Sequence, residues 1–169
     1  MRGYLTAPQT YLIALGSNVR HSHHGAPRAV VRAAMRSIEA AGLRIIAAAP
    51  IITSAPLGPS RRHYANGAVL VESTLAPDAL LDILQGMERA FGRRRRGARW
   101  QARVLDLDIV LWSGGAWSTP HLTIPHPAFR SRRFVVGPAA RIAPRWRDRV
   151  TGLTLRHLAT RLDRPRPPP

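Results

Sequence analysis

Apolar residues along this chain fall into short runs, most of them closed by glycine or proline. Thr10-Tyr11-Leu12-Ile13-Ala14-Leu15 is stopped by the turn-forming Gly16-Ser17-Asn18, which predicts a short strand over residues 10–15. Pro27 suits the first turn of a helix, and the mixed apolar spacing of residues 29–41 ends at Gly42, a helix cap. Residues 43–52, rich in Ile and Ala, predict a strand, and the paired prolines of Ser54-Ala55-Pro56-Leu57-Gly58-Pro59 predict a loop. A further strand is expected over residues 68–72. A helix is expected from Pro77 through Phe91, with Leu80, Leu81, Leu84, Met87 and Glu88 near one side and Gly92 as its stop. After an Arg-rich loop, residues 103–111 read as a strand.

That order is β-α-β-β-α-β. It predicts an α+β fold of the ferredoxin-like kind, an antiparallel sheet with helices on one face, followed by C-terminal additions. The additions are a Pro-punctuated loop from Trp112, a strand near residues 134–136 and a helix near residues 155–162. Residues 1–163 are expected to form a single domain, and the Pro- and Arg-rich residues 164–169 a disordered or extended tail.

The strand over residues 103–111 is unusual because it carries two acids, Asp106 and Asp108, among Leu105, Leu107, Ile109, Val110 and Leu111. Side chains alternate along a strand, so both acids share one face, about 6.5 Å apart along the backbone. Two carboxylates so placed repel each other and lose solvation, which calls for a cation. Adjacent hard oxygen ligands suit Mg²⁺, which takes one or two carboxylates together with substrate phosphates. An edge strand with a polar face would show the same alternation.

Composition narrows the setting. The chain has 169 residues, is 45% hydrophobic and contains no Cys, which excludes disulfides and thiolate metal sites. Its start lacks the apolar run of a signal peptide and no segment is long enough to span a bilayer, so a soluble, cytoplasmic protein with no membrane partner is expected. All 26 basic residues are Arg against nine acids, a net charge of +17. Such an excess attracts polyanions, and it serves a phosphate-rich small molecule as well as a nucleic acid.

Two further clusters point to phosphate. Arg93-Arg94-Arg95-Arg96, followed by Arg99-Trp100 and Arg103, lies in a glycine-flanked loop, and guanidinium groups bind phosphate oxygens through paired donors. Pro125-His126-Pro127 is followed by Arg130, Arg132 and Arg133; an imidazole held between prolines can donate to developing charge. Each cluster also has a plainer reading, as a solvated basic loop and as a structural histidine.

The chain resembles the 6-hydroxymethyl-7,8-dihydropterin pyrophosphokinase family over about residues 11–144. The stretches that carry the resemblance are Ala14-Leu15-Gly16-Ser17-Asn18, Pro56-Leu57-Gly58-Pro59, Tyr64-Ala65-Asn66-Gly67-Ala68 and Glu88 through Gly92-Arg93. The others are Arg99 through Asp108, Leu122-Thr123-Ile124-Pro125-His126-Pro127 and Arg132-Arg133-Phe134. The resemblance implies transfer of pyrophosphate from ATP, as co-substrate, to the pterin hydroxymethyl group with release of AMP, in folate biosynthesis. It implies two Mg²⁺ ions on Asp106 and Asp108, with Arg93, Arg103 and His126 acting on the phosphates. It assigns the pterin to Ser54, Leu57, Tyr64, Asn66, Trp100 and Phe134, with Tyr64 and Phe134 sandwiching the ring. ATP falls to Gln85, Arg95, Trp100, Ile109, His126 and Arg132. A monomer is implied.

The sequence departs from the family pattern in places. Val104 stands where a hydroxyl residue is frequent, Ala55 replaces a frequent proline, and Arg96 occupies a frequent Lys position. His21-Ser22-His23-His24 reads as an insertion, a flexible His-rich loop more readily than a metal site. Two other functions compete: a two-metal nucleotidyltransferase or nuclease, and a basic nucleic-acid-binding module. The first leaves the Tyr64, Asn66 and Phe134 arrangement unexplained, and the second leaves the acid pair unexplained.

Overall fold

The computed structural model describes residues 3–55, 62–92 and 104–164. Two long strands, β1 (Tyr4–Ser17) and β4 (Tyr64–Leu75), pair antiparallel at the centre of the sheet. Between them in sequence come α1 (Pro27–Ala40), β2 (Arg44–Ala48) and β3 (Ile52–Ser54); after them come α2 (Pro77–Ala90) and β5 (Asp106–Trp112). β5 pairs with the free side of β1, and β2 and β3 pair in succession along the free side of β4. All pairings are antiparallel, so the core has the predicted β-α-β-β-α-β arrangement.

The apolar run of β1 is continuous because both of its faces are covered. Tyr11, Ile13 and Leu15 point into a core closed by α1 and α2, through Val30, Val31, Ala34, Ile38, Leu80 and Leu84. Leu12 and Ala14 point the other way, into a second core closed by α3 (Arg133–Ile142) and α4 (Leu155–Asp163). The crossover helices thus share one face as expected, and the C-terminal additions cover the opposite one. Both crossover helices begin with Pro in the first turn, where its missing N–H is harmless. Gly67 gives α1 close approach to β4: a Cβ there would sit 3.1 Å from Met35 Cε and 3.3 Å from Val31 Cγ1, so those side chains would have to shift.

Three sequence expectations are corrected. Residues 43–52 are two strands rather than one, divided around Pro50, which has no N–H for the ladder. Residues 134–136 are helical: Val135, Val136 and Ala139 are buried together and Ile142 packs against the same core, a spacing that follows the helical period despite the β-branched pair. The acid-bearing strand begins at Asp106 and lies at an edge of the sheet, so Val104 and Leu105 precede it and both acids stand at its entrance. Among the described residues no helix is long and apolar enough to cross a membrane.

The additions begin with a small hairpin of β6 (Trp117–Ser118) and β7 (Thr123–Ile124). A cis Ile124–Pro125 bond and a 3₁₀ turn, Phe129–Ser131, lead into α3. The loop between α3 and α4 is fastened to that turn by one buried acid, Asp148. Its carboxylate accepts from Arg130 Nη2 and Nε at 2.6 and 2.7 Å, from Thr151 Oγ1 at 2.6 Å, and from the Val150 and Thr151 amides at 3.2 Å. Burial alone would push the Asp148 carboxyl up, but the bonds from Arg130, Thr151 and Val150 together hold it down at about 2.

A carboxyl depressed in the folded state stabilises the fold above its unfolded pKa, and that contribution disappears as pH falls through the folded value. Urea unfolding of the wild type and Asp148→Asn, followed from pH 6 to pH 2, is therefore expected to show a wide gap in midpoint at pH 6. The gap should begin to close below about pH 4 and be largely gone near pH 2. A gap of constant size across this range would mean that the Asp148 charge contributes nothing.

Candidate active site

The site forms where the sheet ends. On β5, Asp106 and Asp108 project towards the α3 side, opposite Gly16 and Ala14 of β1. Across β1, Gly16 is also opposite Asn66 of β4, so Asn66, Gly16 and Asp106 form a row over three adjacent strands. The small residues of β1 leave a trough between the amide and the acids, and a Cβ on Gly16 would already lie 3.5 Å from Asn66 Oδ1.

This trough is one wall of a narrow slot of about 50 Å³, which Tyr64, Phe134, Arg132 and Val135 complete. Tyr64 opens β4, and Phe134 sits in the first turn of α3. Asn66 is buried and its Nδ2 donates to Ser54 Oγ on β3 at 2.7 Å. That bond fixes the amide's orientation and leaves Oδ1 on the Gly16 side.

A second cavity of about 360 Å³ lies beyond the acids, between α2, β5 and residues 119–127. Its walls include Leu81, Gln85 and Glu88 of α2, Ile109 of β5, and Thr119, His121, Thr123 and His126. Asp106 and Asp108 line both cavities. Glu88 is buried, and its Oε1 accepts from the Leu107 amide at 2.8 Å, gripping the backbone midway between the two acids.

His126 is held by its main chain and its ring together. Its N–H donates to Val110 O at 3.0 Å, and its Nδ1 accepts from the Ala128 amide at 3.2 Å. This leaves Nε2 as the ring donor, 3.8 Å from Asp108 Oδ2. Arg132 Nη1 approaches the same oxygen, also at 3.8 Å. Both separations exceed a hydrogen bond, so an imidazole N–H and a guanidinium face one half-buried carboxylate from 3.8 Å.

The structure therefore gathers Ser54, Tyr64, Asn66, Phe134 and Arg132 around the slot, and Gln85, Ile109 and His126 around the cleft, with the acids between. Leu57, Arg93, Arg95, Trp100 and Arg103, also expected at the site, lie outside the described residues. Sequence reasoning missed Thr119, His121 and Thr123 as cleft walls, although Thr123 stands within a recognised motif and His121 directly precedes it. Among the described residues no group of three or more His, Cys, Asp or Glu converges on a metal position.

The His-rich segment expected as a flexible loop is a turn closed by local bonds. His21 and Gly25 exchange backbone bonds of 2.8 and 2.9 Å, and His21 Nδ1 accepts from the His23 and His24 amides at 3.1 Å. The His24 ring stacks on Phe91 with centroids 4.8 Å apart. The insertion is a closed turn packed on the end of α2.

Comparison with known proteins supplies the family of the chain. Residues 12–144 match the family model described as 7,8-dihydro-6-hydroxymethylpterin-pyrophosphokinase (HPPK). A Pseudomonas aeruginosa 2-amino-4-hydroxy-6-hydroxymethyldihydropteridine pyrophosphokinase is 38% identical over 138 residues, covering 80% of this chain and 82% of its own. Enzymes of the same name from a Synechocystis species and from Methylorubrum extorquens are 33% and 34% identical. They cover 90% and 89% of this chain, and 75% and 92% of their own lengths. In fold, the chain is similar to the crystal structure of Plasmodium falciparum HPPK-DHPS wild type with SDX-DHP, at a TM-score of 0.70 and 11% identity. That match covers 91% of this chain and 44% of the larger one. With residues 12–144 matched in sequence and the two-cavity site built from that same stretch, the chain belongs to the 7,8-dihydro-6-hydroxymethylpterin-pyrophosphokinase family.

Proposed function

We propose that the chain transfers pyrophosphate from ATP to 6-hydroxymethyl-7,8-dihydropterin, in folate biosynthesis, at the acid pair that β5 presents between its two cavities. One observation carries this placement of the chemistry: Asp106 and Asp108 belong to both cavities at once, so substrates bound on either side meet over the same two carboxylates. The family membership supports the reaction itself and does not favour the nuclease or nucleic-acid-binding readings.

The flat pterin enters the slot between Tyr64 and Phe134, where stacking on aromatic faces is favourable. Asn66, oriented by Ser54, pairs with the polar edge of the ring. ATP occupies the larger cleft, whose volume falls in the range of small-molecule sites, with Gln85 and Ile109 on its walls. The hydroxymethyl oxygen then attacks the β-phosphorus, the bond from that phosphorus to the α-phosphate oxygen breaks, AMP departs with that oxygen, and the hydroxyl proton is released to solvent. Positioning and charge neutralisation account for most of the catalysis expected in such a transfer.

The donor set at the acid pair is two hard carboxylates without nitrogen or sulfur, which fits Mg²⁺ completed by phosphate oxygens and water. Two Mg²⁺ ions would be held by Asp106 and Asp108 and would supply neutralisation of the phosphate charge. His126 donates from Nε2 to the phosphate chain, and Arg132 lends charge from the α3 side. The family resemblance alone assigns Arg93, Arg95 and Arg103 to the phosphates and Leu57 and Trp100 to the pterin, all outside the described residues. The same reading has the protein acting in the cytoplasm, as a monomer with residues 1–163 forming one domain.

Purified protein mixed with ATP, Mg²⁺ and the pterin is expected to release AMP. Asp106→Ala and Asp108→Ala should each lower that rate by on the order of 10²-fold, with the fold intact by circular dichroism. Full turnover in either variant would remove that acid from the mechanism.

For the slot, Tyr64→Ala and Phe134→Ala should each weaken pterin binding by roughly 0.5–1.5 kcal/mol beyond the area lost. Asn66→Ala should cost about 1–3 kcal/mol, because pterin edge groups are left unpaired. Titration calorimetry should find ATP affinity nearly unchanged in all three, and pterin affinity little altered by moderate salt. Pterin binding that survives all three substitutions would place the ring elsewhere.

A further inference from the structure

We infer that Arg130 and Asp148 are positioning residues for this reaction: their ion pair anchors the turn that carries His126 and Arg132 to Asp108. The inference rests on the reading of His126 and Arg132 as phosphate-facing groups.

The geometry supporting it runs from the anchor to the site. Arg130 contacts Asp148 with both Nε and Nη2, at 2.7 and 2.6 Å, a two-pronged contact that sets the plane of the guanidinium as well as its distance. Asp148 is immobilised in turn by Thr151 and the Val150 amide, and its own N–H donates to Leu153 O at 2.9 Å. The guanidinium also lies over the Phe129 ring, 4.8 Å from its centroid, and Phe129 is buried in the second core.

Arg130 is the middle residue of the 3₁₀ turn Phe129–Ser131. On one side the Phe129 amide donates to His126 O at 3.2 Å; on the other the Arg132 amide donates to Phe129 O at 3.0 Å. Each site residue is therefore one hydrogen-bonded turn from the anchored residue. His126 Nε2 and Arg132 Nη1 each stop 3.8 Å short of Asp108 Oδ2, so no hydrogen bond to that carboxylate holds either of them. Their placement comes from the backbone, and the backbone is fastened at Arg130. Arg130 lines neither cavity among the described residues, so its effect passes through the turn and not through substrate.

A pair that served stability alone would change the melting temperature and leave turnover untouched while the protein stays folded. A positioning pair changes kcat in the folded protein, because displacements of about 1 Å at reacting groups cost large factors in rate. The test measures AMP release by Arg130→Gln, Asp148→Asn, Arg132→Ala, His126→Ala and the double variant Arg130→Gln/Arg132→Ala, each well below its own melting temperature. Arg130→Gln and Asp148→Asn are expected to lower kcat about tenfold, with the KM for pterin within about twofold of wild type. Arg130→Lys, which keeps one prong, should recover part of the loss. In the Arg132→Ala background the cost of Arg130→Gln should shrink to about threefold or less, since part of its route is gone. Should Asp148→Asn fail to fold, the two Arg130 variants and the double variant carry the test.

Full kcat in the Arg130 variants, beside a loss in His126→Ala and Arg132→Ala, overturns this inference alone. A tenfold loss that persists undiminished in the Arg132→Ala background also overturns it, by showing a general structural effect. Unchanged kcat in both His126→Ala and Arg132→Ala overturns the reading of the site and the inference together.

Discussion

Two like charges held on one face of one strand constrain most of what surrounds them. Asp106 and Asp108 can share a face only if β5 stays extended through both, and Glu88 secures that by accepting the Leu107 amide between them. They can keep partial solvation only at the edge and end of the sheet, where β5 lies. The charge of Arg132 on the α3 side offsets part of their mutual repulsion, and the Nε2 donor of His126 stands at the same 3.8 Å from Asp108.

The two cores follow from the same constraint. A sheet covered on one face only would leave the acids in open water, where their attraction for a cation is weakest. α3 and α4 cover the second face, and the residues leading into α3 supply the other side of the cleft. β1 supports this by alternating large residues towards one core with small ones, Ala14 and Gly16, towards the site. A side chain at Gly16 would project into the trough beside Asn66, its Cβ 3.5 Å from Asn66 Oδ1.

Sequence made the core arrangement legible because its signals are local. Pro27 and Pro77 mark helix starts, glycines follow the helix ends, and the i, i+2 spacing of the acids needs only the strand period. The errors arose where local signals conflict. Val135-Val136 has strand propensity, but burial at 135, 136 and 139 gives a helix. The Ile- and Ala-rich run before Ser54 hides the break at Pro50. In the site, Asp106, Asp108, Tyr64, Asn66 and Phe134 could be named because they lie in family motifs. The register that sets Gly16 between Asn66 and Asp106 could not, since it depends on pairing between distant strands. The Arg130–Asp148 pair was equally hidden, because in a chain with 26 Arg residues no sequence signal says which of them meets a given acid.

The charge imbalance takes on a different meaning once the acids are located. Of the nine, Asp148 is occupied by Arg130, Glu72 by Arg44 and Asp163 by Arg133, while Glu88 holds a backbone amide and Asp78 accepts from Thr119. The exposed pairs among these contribute little stability. Each ion pair cancels one charge of either sign and leaves the net of +17 unchanged, with Asp106 and Asp108 a local acidic point inside a positive field. A field of that sign draws a polyphosphate towards the protein from beyond contact distance, and salt weakens it over roughly 10 Å at 0.1 M. The acid pair would repel the same phosphates at close range unless a cation arrives with them. Under the proposed function, attraction by the whole surface and selection by the pair would act on the same ligand at different distances, and the combination would favour a metal-bound nucleotide over a bare polyanion.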